Sequence, residues 1–326
     1  MRCKIVNIGV VGAASIAIRS VIPAISSLSS KFKIAGIASR DLLKAKSASL
    51  PYNCNYYGSY EDLLSDPSID AVYIPLPNSL HFRFVIMALE NGKHVLAEKS
   101  LGSSLDEVKQ MVEFARLNKL VLVENFQFRF HSQLSTIQQV LKDGIIGDLR
   151  STRVAFGFPP FALSSNIRYS AELGGGALLD AGAYALKIAP IFLGPDLYVA
   201  QAAMAFDQER RIDIWGGGVL QQSNGPLFCH FSYGFDNYYQ CSLELWGSRG
   251  KLSTNRIFTA PPGLKPTLLI ETREGTKEHF LPADDHFMKM MVHFYSLITN
   301  IQHTAIEYES NILQAKLIED FRKLGC

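Results

Sequence analysis

The chain has 326 residues, 48% hydrophobic and 19% charged, which suits two compact domains and excludes a disordered chain. A formal net charge of +2 gives no overall electrostatic pull toward nucleic acid or a membrane surface, so any anion site must be a local pocket. The five cysteines (Cys3, Cys54, Cys229, Cys241, Cys326) are scattered, lack a C-x-x-C pair and read as buried free thiols of a reducing, cytoplasmic protein.

Met1-Arg2-Cys3-Lys4 followed by the apolar run Ile5 to Ile18 has the outline of a signal peptide. Asn7, Gly9 and Gly12 break that run where a strand, a turn and a helix need them, so a strand–turn–helix is expected instead. No uninterrupted apolar stretch reaches the ~18 residues of a membrane span. Short apolar runs at Ile5–Val11, Ile34–Ala38, Val72–Ile74, His94–Ala97 and Leu120–Val123 read as buried strands. Helix-period segments at Ser15–Leu28, Leu42–Ala48, Tyr60–Leu64, Ser79–Glu90 and Leu105–Arg116 alternate with them, and Ser104 with Glu107 forms a capping-box pattern. This alternation predicts a doubly wound parallel sheet over residues 1–124.

After Glu124 the pattern changes. A helix over Ser132–Leu141, a strand over Leu149–Phe158, the run Gly174-Gly175-Gly176 and a helix over Ala177–Leu193 come first. Strands follow at Tyr198–Phe206, Ile212–Leu220, Leu227–Phe235, Tyr239–Trp246, Lys251–Thr254, Leu268–Glu271 and Glu278–Leu281, then helices at Phe287–Asn300 and Asn311–Leu324. Short turns between consecutive strands predict an α+β domain over 125–326 with a large, open, mostly antiparallel sheet.

The first strand runs into Gly12-Ala13-Ala14-Ser15-Ile16-Ala17, which sets Gly12, Ala14 and Ala17 on the dinucleotide fingerprint G-x-G-x-x-G/A. The first position needs a tight turn, the second a close backbone approach to pyrophosphate, and the third a small side chain for helix packing. Ala14 departs from glycine at the second. The second strand ends at Ser39-Arg40, where an acidic residue would select NAD and an arginine accommodates a 2′-phosphate. NADP(H) is therefore expected, with NAD(H) as the alternative. Asp41 either weakens that preference or caps the next helix.

Further segments resemble the Gfo/Idh/MocA family of glucose-fructose oxidoreductase and inositol dehydrogenase relatives. They are Pro75-Leu76-Pro77-Asn78-Ser79-Leu80-His81, Ala88 to Lys99 (ending His94-Val95-Leu96-Ala97-Glu98-Lys99), Arg129 to Gln133, and Gly174 to Tyr184. The resemblance implies a Rossmann domain and a second α/β domain whose exposed sheet supports a homodimer or homotetramer. It carries the lysine of the family's E-K-P motif onto Lys99, with Ser100 in place of the proline and no cis bond assumed there. It carries the second catalytic position, often histidine in D-x-G-x-H, onto Tyr184, with Asp180 as its orienting or capping neighbour. Asp180 and Tyr184 are four apart, so a helix puts them on one face about 40° apart.

The tyrosine variant resembles sugar 3-ketoreductases of deoxysugar biosynthesis, which act on nucleotide-linked keto sugars. Segments 166–169, 234–239, 245–252 and 255–259 share that pattern, making Arg168, Tyr169, Asn237, Tyr239 and Arg256 candidates for the substrate's pyrophosphate and ribose. Asn78 and His81 are expected to help form the nicotinamide pocket, with helix capping as the alternative for His81, and Leu76 and Glu98 are further cofactor-binding candidates. His286 and His293 read as helix-surface or core residues, and neither a metal site nor a nucleophilic triad is expected. Two alternatives stay open: a dehydrogenase of a free sugar or polyol, which needs no phosphate-binding arginines, and a non-catalytic dinucleotide sensor.

Overall fold

The computed structural model describes residues 5–161 and 166–325. Cys3, Cys326 and the segment Met1-Arg2-Cys3-Lys4 lie outside the described residues. The chain divides into two compact units: Met1–Asn125 with Phe287–Ala315, and Phe126–His286 with Lys316–Cys326.

In the first unit the strands are β1 (Val6–Val11), β2 (Phe32–Ala38), β3 (Asn55–Tyr57), β4 (Ala71–Ile74), β5 (His94–Glu98) and β6 (Leu122–Asn125). All are parallel, in the order β3-β2-β1-β4-β5-β6. Every residue of β4 and β6 is buried, as a sheet covered on both faces requires. Strand order reverses between β1 and β4, and crevices at such a switch point are where open α/β sheets bind ligands. Helix starts follow the sequence signals. Asp41 accepts from the amides of Leu43 and Lys44, and Ser104 Oγ accepts from Glu107 N at 3.2 Å. Glu107 bonds back to Ser103 N (2.7 Å) rather than to the cap residue itself, a capping box displaced by one residue.

A single boundary after Glu124 does not describe the chain, because 287–315 packs with the first unit. Tyr308 donates its hydroxyl proton to Leu120 O, Asn311 Nδ2 donates to Leu122 O at 3.2 Å, and the ring of Tyr295 meets that of Phe32 at 5.6 Å. Tyr308, Ile312 and Ala315 complete an apolar core with Leu120 and Leu122. The last helix, Ala305–Gly325, starts six residues before the expected Asn311.

The second unit holds β7 (Leu149–Gly157), β8 (Leu197–Asp207), β9 (Ile212–Gln222), β10 (Phe228–Gly234), β11 (Gln240–Gly247), β12 (Gly250–Asn255), β13 (Thr267–Thr272) and β14 (Gly275–Phe280). Their order is β14-β13-β12-β11-β7-β10-β9-β8, antiparallel throughout except for the parallel pair β7 and β10. One face alternates inward, with Cys229, Phe231 and Tyr233 on β10 and Cys241, Leu243 and Leu245 on β11 buried. The helix Ala183–Leu193 packs on that face against β7, β9 and β10. The stretch Ala171–Leu193 is long and apolar enough to cross a membrane by composition, yet 78% of that window is buried inside the protein. Of the described cysteines, Cys229 and Cys241 are buried free thiols, whereas Cys54 is only half-buried.

Candidate functional site

Every residue expected at the cofactor lies at the C-terminal ends of β2, β1, β4 and β5, so the parallel sheet collects them along one edge. Gly12 ends β1 with φ +123°, and a Cβ there would stand 3.0 Å from Leu76 Cδ2. Glycine is thus required both by the left-handed backbone and by the close packing of the loop after β4. The turn is tied to β2 through Gly12 N donating to Ala38 O at 3.0 Å. Ala13, Ala14, Ser15 and Ile16 lead from it into the helix, which continues as a turn of π-helix over Ala17–Val21. The first amides of a helix have no intrahelical acceptor and bind anions. One strand over, Arg40 is exposed, and the buried Ser39 accepts a hydrogen bond from Asp41 N at 3.2 Å.

The loops after β4 and β5 are pinned together beside Lys99. His81 is fully buried, with Nε2 2.8 Å from Leu76 O and Nδ1 2.7 Å from Ser100 O. Burial pushes its pKa down, against the pull of the two carbonyls. Neither expected role fits. With no exposed surface it forms no pocket wall, and its ring braces two loops rather than capping a helix. Asn78 Oδ1 accepts from Ser100 N at 3.2 Å, so Ser100 is held through both its amide and its carbonyl. The Lys99–Ser100 peptide is cis, against the expectation from sequence, which assumed no cis bond there.

Glu98 likewise turns inward, accepting from Tyr73 OH (2.7 Å) and Asn125 Nδ2 (2.6 Å). Desolvation raises its pKa, opposed by these two bonds and by the charge of Lys99. Next to it, Glu124 Oε1 accepts from Leu101 N at 2.9 Å, fixing the segment that follows Ser100.

The substrate-side candidates gather in the second unit. The Gly174–Gly176 run leads into a π-helical turn, Leu178–Gly182, that continues as the helix Ala183–Leu193. A Cβ on Gly175 would strike Arg168 O, and one on Gly176, at φ +109°, would strike Asp213 Oδ1. Asp213 on β9 accepts from Leu178 N at 2.6 Å and so caps the helical stretch, a role with no signature in the sequence. Burial raises the pKa of Asp213, offset by the bond to Leu178 and by Arg322.

Asp180 is ion-paired to Arg168 Nε at 2.5 Å. Four residues on, the ring of Tyr184 is boxed by Phe126, Phe128, Phe156 and Phe258 at 5.3, 5.8, 5.2 and 5.3 Å. Gln127 Nε2 lies 3.5 Å from its hydroxyl.

The remaining candidates continue this aromatic wall in two directions. Phe156 meets Phe158, which stacks on Phe235, and Phe161 links them to Tyr169. The hydroxyl of Tyr169 accepts from Phe161 N at 2.9 Å. Arg168 lies over the Phe161 ring and Arg210 over that of Tyr169. In the other direction Phe258 precedes Thr259, whose Oγ1 is 3.1 Å from Tyr239 OH. Arg256, at φ +60°, stacks over the Tyr239 ring at 4.5 Å. Asn237 lies beside the first group, its backbone amide donating to Phe158 O at 3.2 Å.

Comparison with known proteins gives a consistent picture. Residues 6–126 match the family described as oxidoreductase, NAD-binding Rossmann fold, and residues 134–253 match the GFO/IDH/MocA C-terminal domain. The chain is 39% identical to dTDP-3,4-didehydro-2,6-dideoxy-alpha-D-glucose 3-reductase of Saccharopolyspora spinosa, over 97% of this chain and 96% of that protein. It is 34% identical to D-xylose 1-dehydrogenase (NADP(+)) 2 of Haloferax volcanii over 85% of each. A 3-ketoreductase from Actinomadura kijaniata, solved in complex with NADP and TDP-benzene, superposes with a TM-score of 0.95 at 34% identity, covering 99% of this chain and 98% of that one.

Proposed function

The chain belongs to the GFO/IDH/MocA oxidoreductase family, and we propose that it reduces the keto group of a nucleoside-diphosphate-linked sugar with NADPH. The observation that carries this reading is a buried tyrosine, Tyr184, at the family's second catalytic position, in a chain that resembles dTDP-sugar 3-reductases along nearly its whole length.

The residues at the sheet edge fit the cofactor. The Gly12 turn carries no side chain and packs closely against Leu76, helix amides follow it, and Ser39 with Arg40 suits a 2′-phosphate. NADPH, when bound, supplies the hydride that the ketone carbon receives. Tyr184 gives its hydroxyl proton to the ketone oxygen, and the Lys99 ammonium stabilises the negative charge developing there. Asp180 keeps Arg168 oriented, and Arg168, Tyr169, Asn237, Tyr239 and Arg256 hold the diphosphate and ribose.

Replacing Tyr184 by Phe, or Lys99 by Met, is expected to lower kcat by roughly 10²–10⁴ on a dTDP-linked keto sugar, followed by NADPH absorbance. An unchanged kcat in Tyr184→Phe removes that residue from the reaction. Turnover of free xylose or inositol with no response to dTDP favours a free-sugar dehydrogenase instead.

We also propose that the protein associates through the sheet face left uncovered by its helices. That face carries exposed Tyr198 and Trp215 toward one edge. Toward the other it carries the cross-strand pairs Arg153–Glu244 and Lys251–Glu271. Sedimentation equilibrium checks for the dimer or tetramer, and Trp215→Asp is expected to dissociate it. The free thiols Cys229 and Cys241 suit a reducing cytoplasm.

A further inference from the structure

Lys187 is the one charged residue of the helix Ala183–Leu193, and it is 4% exposed. Its position, three residues beyond Tyr184, places the two Cβ atoms about 5–6 Å apart on one helical face. Both side chains meet the same ring. The Lys187 ammonium stands 5.1 Å from the Phe126 centroid, and the ring of Tyr184 lies 5.3 Å from it, edge to face. Ordering a long side chain and desolvating its charge costs free energy that an apolar residue at this position would not incur.

The box around Tyr184 explains what such a charge can do. Four aromatic rings exclude water from the phenol and so disfavour the phenolate it becomes on giving up its proton. A cation held within the same low-dielectric region favours that phenolate and makes the phenol a stronger acid. We infer that Lys187 is a positioning residue for the reduction, its buried ammonium tuning Tyr184 as proton donor. This rests on the reading of Tyr184 as the general acid.

Other titratable groups around this helix are already engaged or neutral. Asp180, on the same helical stretch, is paired to Arg168. On β9, Asp213 is bonded to Leu178 N and to Tyr233 of β10 and is drawn on by Arg322. Cys229 of β10 is pushed up to about 12 by burial and stays a thiol. The arginines of β7, Arg150 and Arg153, are exposed and paired to Asp148 and Glu244. Among the described residues, Lys187 shares the Phe126 ring with Tyr184.

The test titrates Tyr184 directly. Protein labelled with ¹³Cζ-tyrosine is followed by NMR against pH, with Tyr184→Phe identifying the resonance. In Lys187→Met the Tyr184 pKa is expected to rise by about one to three units, and in Lys187→Arg to stay near its original value. The kcat profile carries the same signature: Lys187→Met lowers the plateau about tenfold and moves the alkaline limb to higher pH, with KM little changed. Lys187→Gln serves in place of Met if the apolar variant folds poorly.

A Tyr184 titration that does not move in either neutral variant overturns the proposal, as does an equal kcat loss when Lys187→Met is added to Tyr184→Phe. Full activity of Tyr184→Phe alone instead overturns the general-acid reading, and the NMR titration separates the two outcomes.

Discussion

Arg40 stands exposed at the end of β2, beside the strand that carries the Gly12 turn. Asp41 could have opposed its preference for a 2′-phosphate, but its carboxylate is occupied by the amides of Leu43 and Lys44 at 3.0 and 3.2 Å. Arg40→Ala is therefore expected to weaken NADPH binding about tenfold or more while leaving NADH nearly unaffected, since one charge-assisted bond contributes about 1.5–3 kcal/mol. Fluorescence titration with both cofactors checks it, and an equal loss for NADH would assign Arg40 a role other than reading the phosphate. Arg40, Lys99 and Tyr184 could be singled out in the sequence as candidates because each sits at a fixed offset within a short motif. His81 as a brace was not, since it touches two carbonyls 5 and 19 residues away that only the fold brings together. Lys187 left a weaker sign, a lone charge in an otherwise apolar helix.

At the scale of elements, the helical stretch bearing Asp180 and Tyr184 is seated by Gly176 and Asp213. Gly176→Ala would place a methyl against the Asp213 carboxylate at a φ of +109°. A loss of about 2–4 kcal/mol is expected, from strain plus the disturbed cap, together with a lower kcat as Tyr184 shifts. Urea unfolding checks the first part; a change under 0.5 kcal/mol, about the scatter of ordinary surface substitutions, would show that the seat is slack. The three glycines stood out in the sequence as a run, but nothing there said what packs against them. Asp213 lies on a strand whose pattern gave no hint of capping a distant helix. Most strands and helices were legible from apolar periodicity. β3 was not, because Asn55-Tyr56-Tyr57 is a polar edge strand with little to bury. The start of Ala305–Gly325 was obscured because its first half packs with one unit and its end belongs to the other, so no single apolar stripe runs along it.

Across the whole molecule, the two-unit plan was visible as a change of pattern after Glu124, whereas the return of 287–315 to the first unit depends on tertiary partners such as Leu120 and Leu122. His286 is the last residue before that return, and it is 2% exposed beside His131, their rings 5.7 Å apart. Burial, reinforced by His131 and opposed by Asp284, lowers its pKa from 6.5 to about 4. A depressed histidine pKa means that the folded chain holds the neutral ring while the unfolded chain takes up a proton. Its contribution to stability is complete above pH 6.5 and is lost as pH falls toward 4. The loss amounts to about 1.4 kcal/mol per pH unit, or about 3 kcal/mol in all. Urea midpoints measured from pH 7.5 to 4.5 should therefore fall through this window in the native protein. In His286→Gln, which keeps a polar side chain but cannot titrate, the curve should start lower and run flatter. A variant that loses stability with acid as steeply as the native protein would move the acid sensitivity away from His286 and onto other groups.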